Sequence, residues 1–160
     1  MNDALEVVVL VGIPASGKTT FYRERFAATH AHVSKDHFPN ARRRDARQAR
    51  LLDEALAAGR SVVVDNTSPA VEDRAPILDA ARRHGARVVG YYFGTPLADA
   101  MVRNAAREGR ARVPDAGVRA IAKKMRRPRL DEGFDALYWV RLVGAGFTVE
   151  AWKEEADEAR

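Results

Sequence analysis

The chain has 160 residues, no cysteine, an apolar fraction of 46% and a net charge of +5. That length fits one domain with an ordinary globular core, and the lack of cysteine excludes disulfides and thiolate metal sites and makes the reducing cytoplasm the expected compartment. No apolar run approaches the roughly 20 residues of a membrane span, and the acidic start MNDALEVVVL has the wrong charge for a secretory signal.

Strand-like and helix-like segments alternate along the chain. LEVVVLV at 5–11 is a short run of β-branched residues, suited to a strand buried on both faces. A glycine loop follows, then a helix over 17–29. A short strand is predicted over 31–34 and a helix over 41–58 with Leu51, Leu52, Ala55 and Leu56 on one side, ended by Gly59. RSVVVD is a third strand. Ser68 and Pro69 read as cap and first-turn proline of a helix that runs to His84 and stops at Gly85. ARVVGYYF is a fourth strand, 96–109 and 114–127 are two helices split at GRARVP, and LYWVRL is a fifth strand. The tail is predicted to be helical or frayed. This order implies a three-layer α/β/α domain over 1–149 with about five parallel strands, a helical lid over about 96–127, and an acidic tail over 150–160. Ligands of such sheets bind beyond the carboxyl ends of the strands. Gly12, Ser34 to Asp36, Asp65 to Thr67 and Gly94 fall on that edge.

The charge is unevenly spread. The last eleven residues, EAWKEEADEAR, carry five acids and two bases, so the remainder is +8. Between Met101 and Arg129 lie ten Lys or Arg and two acids, Glu108 and Asp115. Such a stripe suits a polyanionic ligand, and equally a solvated helical surface.

Gly12-Ile13-Pro14-Ala15-Ser16-Gly17-Lys18-Thr19 fits the Walker A pattern GxxxxGK[ST] without deviation. Its two glycines let successive N–H groups turn inward, the helix beginning at Gly17 adds its positive end, Lys18 reaches the β- and γ-phosphates, and the Thr19 hydroxyl ligates Mg²⁺. Gly12 and Ala15 to Thr20 are the expected cofactor-binding set, with ATP and Mg²⁺ as cofactors. A strand before the loop and a helix after it are the context this motif requires, and both are predicted.

Transfer of phosphate to an alcohol needs a group near the acceptor oxygen that takes its proton. HVSKD places Asp36 just past the second strand, where a carboxylate either orients and deprotonates a hydroxyl or caps a turn. VVVDNTSP places Asp65 at the end of the third strand. There it either holds a magnesium water, as in a Walker B strand, or pairs with an arginine at the acceptor site. Asn66 and Thr67 add hydrogen-bonding groups. RNAAREGRARVP spaces Arg103, Arg107 and Arg110 at helical intervals, predicting one face whose like charges repel until an anion arrives. Arg42, Arg43, Arg44, Arg47 and Arg50 open the second helix close to Asp36, as an acceptor-phosphate contact or as a solvated face.

Taken together, GxPxSGKTT, HVSKD, GRSVVVDNTSP with Arg74, RNxxR with a following VP, and PRLDEGFD resemble the kinase domain of polynucleotide 5′-kinases, and more broadly the related branch of P-loop kinases. The correspondence covers about residues 7–142. It implies Lys18, Asp36 and Arg107 as catalytic residues, with Asp36 the general base and Arg107 a lid arginine on the ATP phosphates flanked by Arg103 and Arg110. It also implies Asp36, Asp65, Asn66, Thr67 and Arg74 at the acceptor site, Thr19 and Asp65 at the metal, and Pro128 to Phe134 near the adenine. Two departures stand out. Pro39 occupies a position where the viral kinase has an arginine for the acceptor phosphate, and no DxDGT phosphatase motif occurs, so a second activity is not expected.

His30, His32, His37 and His84 form no convincing metal set and read as surface or internally satisfied histidines. Trp139 and Trp152 read as core and tail anchors. The expected function is ATP-dependent phosphotransfer to a hydroxyl, first of all the 5′-OH of a polynucleotide. A small-molecule kinase acting on a sugar, nucleoside or antibiotic, and a non-catalytic nucleotide-dependent binding protein, are the alternatives.

Overall fold

The computed structural model describes residues 4–39, 42–144 and 146–154. Strands β1 (Glu6–Val11), β2 (Ala31–Val33), β3 (Val62–Asp65), β4 (Arg87–Phe93), β5 (Ala136–Val143) and β6 (Gly146–Ala151) form one sheet in the order β2-β3-β1-β4-β5-β6. The first five pair in parallel, and β6 pairs antiparallel with β5. Helices α1 (Lys18–Arg25), α2 (Arg44–Ala57), α3 (Val71–Arg83), α4 (Leu97–Ala105) and α5 (Asp115–Lys124) supply the crossovers and the segment between β4 and β5. This is the three-layer α/β fold of the P-loop kinases.

The valine run of β1 explains its central place. Val7, Val8, Val9 and Leu10 are fully buried because both faces of the strand are covered. Val7, Val9 and Val11 pack with Leu52 and Leu56 of α2 and Ile77 and Leu78 of α3. Val8 and Leu10 face the other way, onto Phe21 and Tyr22 of α1. Each such side chain contributes about 1.5–3 kcal/mol relative to exposure.

The end of the chain departs from the sequence expectation. Residues 146–151 form β6, a strand absent from the expected elements, and it runs across position 150, where the expected helical or frayed tail begins. Paired to β5, β6 carries Phe147 onto the α1-side core. Beyond β6, Trp152 tilts against Trp139 at 6.0 Å between ring centroids. The Arg127 guanidinium, just after α5, lies 4.4 Å from the Trp139 ring centroid and 4.6 Å from that of Trp152, and donates to the Lys153 carbonyl at 3.1 Å. Trp152 thus anchors the chain end, as expected, while Trp139 is half-buried on β5 and meets it there rather than in the core. Residues 155–160 lie outside the described residues.

The helix after β3 also begins later than its sequence suggests. Ser68 takes a left-handed conformation, φ 47°, and α3 opens at Val71 behind Ala70. Asp73 caps it by accepting from the Ala70 N–H at 3.0 Å. Among the described residues no helix is long and apolar enough to cross a membrane.

Candidate active site

Because β1 to β5 are parallel, the loops that follow β1, β2, β3 and β4 all open on one edge of the sheet. The glycine loop occupies the middle of it. Gly17 takes φ 94°, a conformation that a side chain strains, and Ala15 takes φ 64°. A Cβ on Gly12 would lie 2.8 Å from Ser16 Oγ and 2.9 Å from Phe93 Cβ, so only glycine fits. The Gly12 N–H donates to the Thr67 carbonyl at 3.1 Å, which ties the loop to the end of β3 through the backbone of Thr67.

Lys18 is buried with the loop, 8% exposed. Its ammonium donates to the carbonyls of Gly12 and Ile13, both at 3.0 Å, and lies 3.5 Å from Ser16 Oγ. Burial disfavours its charge and lowers its pKa to about 8, opposed by the negative charge of Asp65, assisted by Arg107 and opposed again by Asp36. Lys18 thus lies within electrostatic reach of three sequence-predicted residues from three other segments, Asp36, Asp65 and Arg107.

Thr19 Oγ1 donates to Asp65 Oδ2 at 2.8 Å. A hydroxyl that spends its proton this way keeps its lone pairs for a cation. Burial works to raise the Asp65 pKa, but the hydrogen bond from His32, the charge of Lys18 and the hydrogen bond from Thr19 outweigh it and hold the carboxyl below its ordinary value. A hydroxyl and an ionised carboxylate are hard oxygen donors that fit Mg²⁺, which binds few protein groups together with phosphate oxygens. Among the described residues no group of three or more His, Cys, Asp or Glu is arranged to hold a metal by itself.

Asp36 sits on a short 3₁₀ turn, Lys35–His37, whose start is capped by Ser34 Oγ accepting from the Asp36 N–H at 3.2 Å. Its own carboxylate is exposed, and among the described residues no side chain hydrogen-bonds to it. Asn66 braces the turn from β3. Its Oδ1 accepts from the Lys35 N–H at 2.9 Å, and its Nδ2 donates to Gln48 of α2. With both ends of its amide engaged inside the protein, Asn66 holds the Asp36 turn rather than presenting itself to an acceptor.

The arginines do not share one helix face. Helix α4 ends at Ala105, and Arg110 falls on a separate, exposed 3₁₀ turn, Gly109–Ala111. Arg103 remains on α4 and donates from Nε to the Ala15 carbonyl at 2.8 Å, directly over the glycine loop. Half-buried Arg107 follows the helix and donates to the Ala111 carbonyl at 3.3 Å. Its pKa is lowered by burial and by Arg103, and Asp36 acts in the opposite direction. Thr20 is exposed on the first turn of α1. A cavity of about 310 Å³ opens beside Arg103, lined also by Gly94, Pro96, Asp99, Arg141 and Val143 at the ends of β4 and β5.

Two further expectations are corrected. Arg74 is fully buried: Nε and Nη2 reach the two carboxylate oxygens of Glu132 at 2.9 and 3.1 Å, and Nη1 donates to the carbonyls of Ser68 at 2.8 Å and Arg126 at 3.1 Å. All three of its nitrogens are engaged inside the fold and the side chain is fully buried, so Arg74 is turned away from a substrate. The far end of the stretch Pro128 to Phe134 leads away from the ligand edge, while Glu132 is taken up by Arg74. Phe134 packs in the α2/α3-side core, and Asp135 next to it exchanges hydrogen bonds with Val88 at the opposite end of β4.

Two contributors went unread in the sequence. His32 Nε2 lies 2.8 Å from Asp65 Oδ2. Phe147 of β6 closes on the loop, 3.0 Å from where a Cβ on Gly17 would lie. The only signal for His32 is its alternation with the core-facing Val33 on a strand whose neighbour ends in Asp65. Of the other histidines, His30 pairs with Glu6 at 2.8 Å, His84 pairs with Asp53 at 3.1 Å, and His37 is exposed.

Known proteins of this shape include kinases. The chain is 26% identical over 137 residues to the bifunctional polynucleotide phosphatase/kinase of Schizosaccharomyces pombe, spanning 83% of this chain and about a third of that protein's length (33%). Among solved structures, a gluconokinase from Sinorhizobium meliloti superposes with a TM-score of 0.64 at 16% identity, covering 89% of this chain and 85% of its own. A Pnkp1/Rnl/Hen1 complex contains a chain matching at TM-score 0.57 and 17% identity, over 96% of this chain and 48% of that one. The family model AAA_33, described as an AAA domain, matches residues 7–128, and the chain belongs to that family.

Proposed function

We propose that the protein is an ATP- and Mg²⁺-dependent phosphotransferase that delivers the γ-phosphoryl group to a hydroxyl. The observation that carries this reading is that Lys18 lies within electrostatic reach of Asp36, Asp65 and Arg107 on one sheet edge, with Thr19 bonded to Asp65 and Arg103 to the loop. A protein that only binds nucleotide has no need of the exposed Asp36 carboxylate opposite the loop lysine.

Each residue then has a task. The backbone of Ala15 to Thr20 and the Lys18 ammonium hold the phosphates. Thr19 and Asp65 hold the magnesium, which when bound neutralises charge on the β,γ-phosphates. Asp36 accepts the acceptor's proton as its oxygen bonds to phosphorus and the bond to the leaving diphosphate breaks. Arg107, with Arg103 beside it, stabilises the charge of the transferring group. The cavity beside Arg103, whose Nε holds the Ala15 carbonyl of the loop, is the candidate place for the nucleobase.

For the acceptor, the reading is the 5′-OH of a polynucleotide. Support comes from the motif order, the 26% identical phosphatase/kinase relative and the basic segments beside Asp36 and in the 101–129 stretch. A small-molecule acceptor is the second reading, favoured by Pro39 in place of a phosphate-binding arginine. Labelled ATP offered with a panel of 5′-OH oligonucleotides and small alcohols separates them. Label on oligonucleotides that weakens as salt rises is the expected result. Label confined to small acceptors overturns the polynucleotide reading, and no label with intact ATP binding overturns the kinase reading.

A further inference from the structure

His32 has no part in the chemistry described above, yet it is built into the site. It sits on β2, faces away from the α2/α3 core and places Nε2 2.8 Å from Asp65 Oδ2. The same oxygen accepts the Thr19 hydroxyl at 2.8 Å. The two side chains are 19% and 3% exposed, so water competes little for this contact. An ionised carboxylate only accepts, so Nε2 carries the proton.

The ring is held on its other sides as well. It stacks on Tyr22 of α1 at 4.0 Å between centroids and 12° between planes. The Tyr22 hydroxyl donates to the His30 carbonyl at 2.7 Å, which fixes the stacking partner. His37, next to Asp36, meets the His32 ring edge-on at 4.8 Å. One imidazole thus touches the loop helix, the carboxylate on β3 and the turn that carries Asp36.

We propose that His32 is a positioning residue: by occupying Asp65 Oδ2 together with Thr19, it fixes the carboxylate so that the remaining oxygen faces the cation that accompanies the nucleotide. This rests on the reading of Thr19 and Asp65 as the magnesium side of the site. Without the second donor, the carboxylate is held at one point by Thr19 and rotates about that contact. Hydrogen-bond partners of metal-side carboxylates typically matter by 10- to 100-fold in metal affinity, about what is expected here.

The test is ADP binding by titration calorimetry, in EDTA and across a Mg²⁺ series, for the wild type, His32→Leu and His32→Gln. In His32→Leu, ADP affinity in EDTA stays within about twofold, while the Mg²⁺ concentration for half-maximal effect rises about tenfold or more. His32→Gln, which retains an N–H donor near the Nε2 position, recovers most of the loss. A His32→Leu protein with wild-type Mg²⁺ dependence overturns the proposal while leaving the site reading intact. So does equal loss in EDTA and in Mg²⁺ in both variants, which marks a packing role alone. If wild-type ADP binding is indifferent to Mg²⁺, the magnesium reading itself falls and takes this proposal with it.

Discussion

Arg103 Nε donates to the carbonyl of Ala15 at 2.8 Å across 88 residues of chain. The contact holds the segment after β4 over the glycine loop, one helical turn ahead of Arg107. Arg107 in turn has its pKa lowered by burial and by the charge of Arg103, a strain that a phosphate anion relieves. Arg107→Ala is expected to lower kcat by about 10³-fold. ADP affinity should change by much less, because the loop and Lys18 are untouched. Steady-state kinetics beside ADP calorimetry check the split, and equal losses in both would make Arg107 a ground-state contact.

Asp36 is exposed and accepts no side-chain hydrogen bond among the described residues, so its replacement removes chemistry without removing structure. Asp36→Asn should lower kcat by about 10²- to 10⁴-fold, the range of a lost general base. Melting temperature and ADP affinity should match the wild type. Transfer at the native rate would remove Asp36 from the mechanism.

Lys18 gives the site a pH dependence whose sign follows from burial. Its pKa is lowered to about 8 in the free protein, and the phosphates bind the protonated form. ADP affinity should therefore be level below that pH and fall as pH rises through it, by about tenfold per unit once the free lysine is neutral. Calorimetry from pH 7 to 9.5 reads this directly. In Lys18→Met, weak residual binding should show no such break.

The Arg74–Glu132 pair is a structural claim with a large signature. Glu132 is the partner that satisfies two of the buried guanidinium nitrogens, and removing it strands a fully buried charge. Glu132→Ala should cost about 3–5 kcal/mol. That corresponds to a fall in melting temperature of at least about 6 °C for a chain of this size. Chemical denaturation gives the same comparison. A loss of acceptor affinity in a fully stable Arg74 variant would return Arg74 to the binding site.

What the sequence reveals here is what is local. The valine run, the glycine loop and the carboxylates at two strand ends are each set by a few neighbouring residues, and the structure puts them where the motifs imply. The strand β6 was hidden because the surrounding acidic, alanine-rich composition favours helix, while its stability comes from pairing with β5 and from Phe147 packing beneath the loop. His32 was unreadable for a related reason: its partner is 33 residues away, and only the register of β2 against β3 joins them. Arg74 carries the charge expected of an anion contact, and only the distant Glu132 turns it inward. The arginine series read as one helix because spacing ignores the break after Ala105, where α4 ends in Arg-Asn-Ala and the chain turns.

The chain has two tryptophans, and both flank the Arg127 guanidinium where α5 gives way to the segment leading into β5. Tryptophan fluorescence therefore has a single source region, at the trailing end of the arginine-bearing segment. Any rearrangement of α5 that withdraws Arg127 from between the indoles changes their emission. The protein thus carries a native optical reporter on the junction between α5 and β5, usable in stopped-flow without a dye or an engineered label.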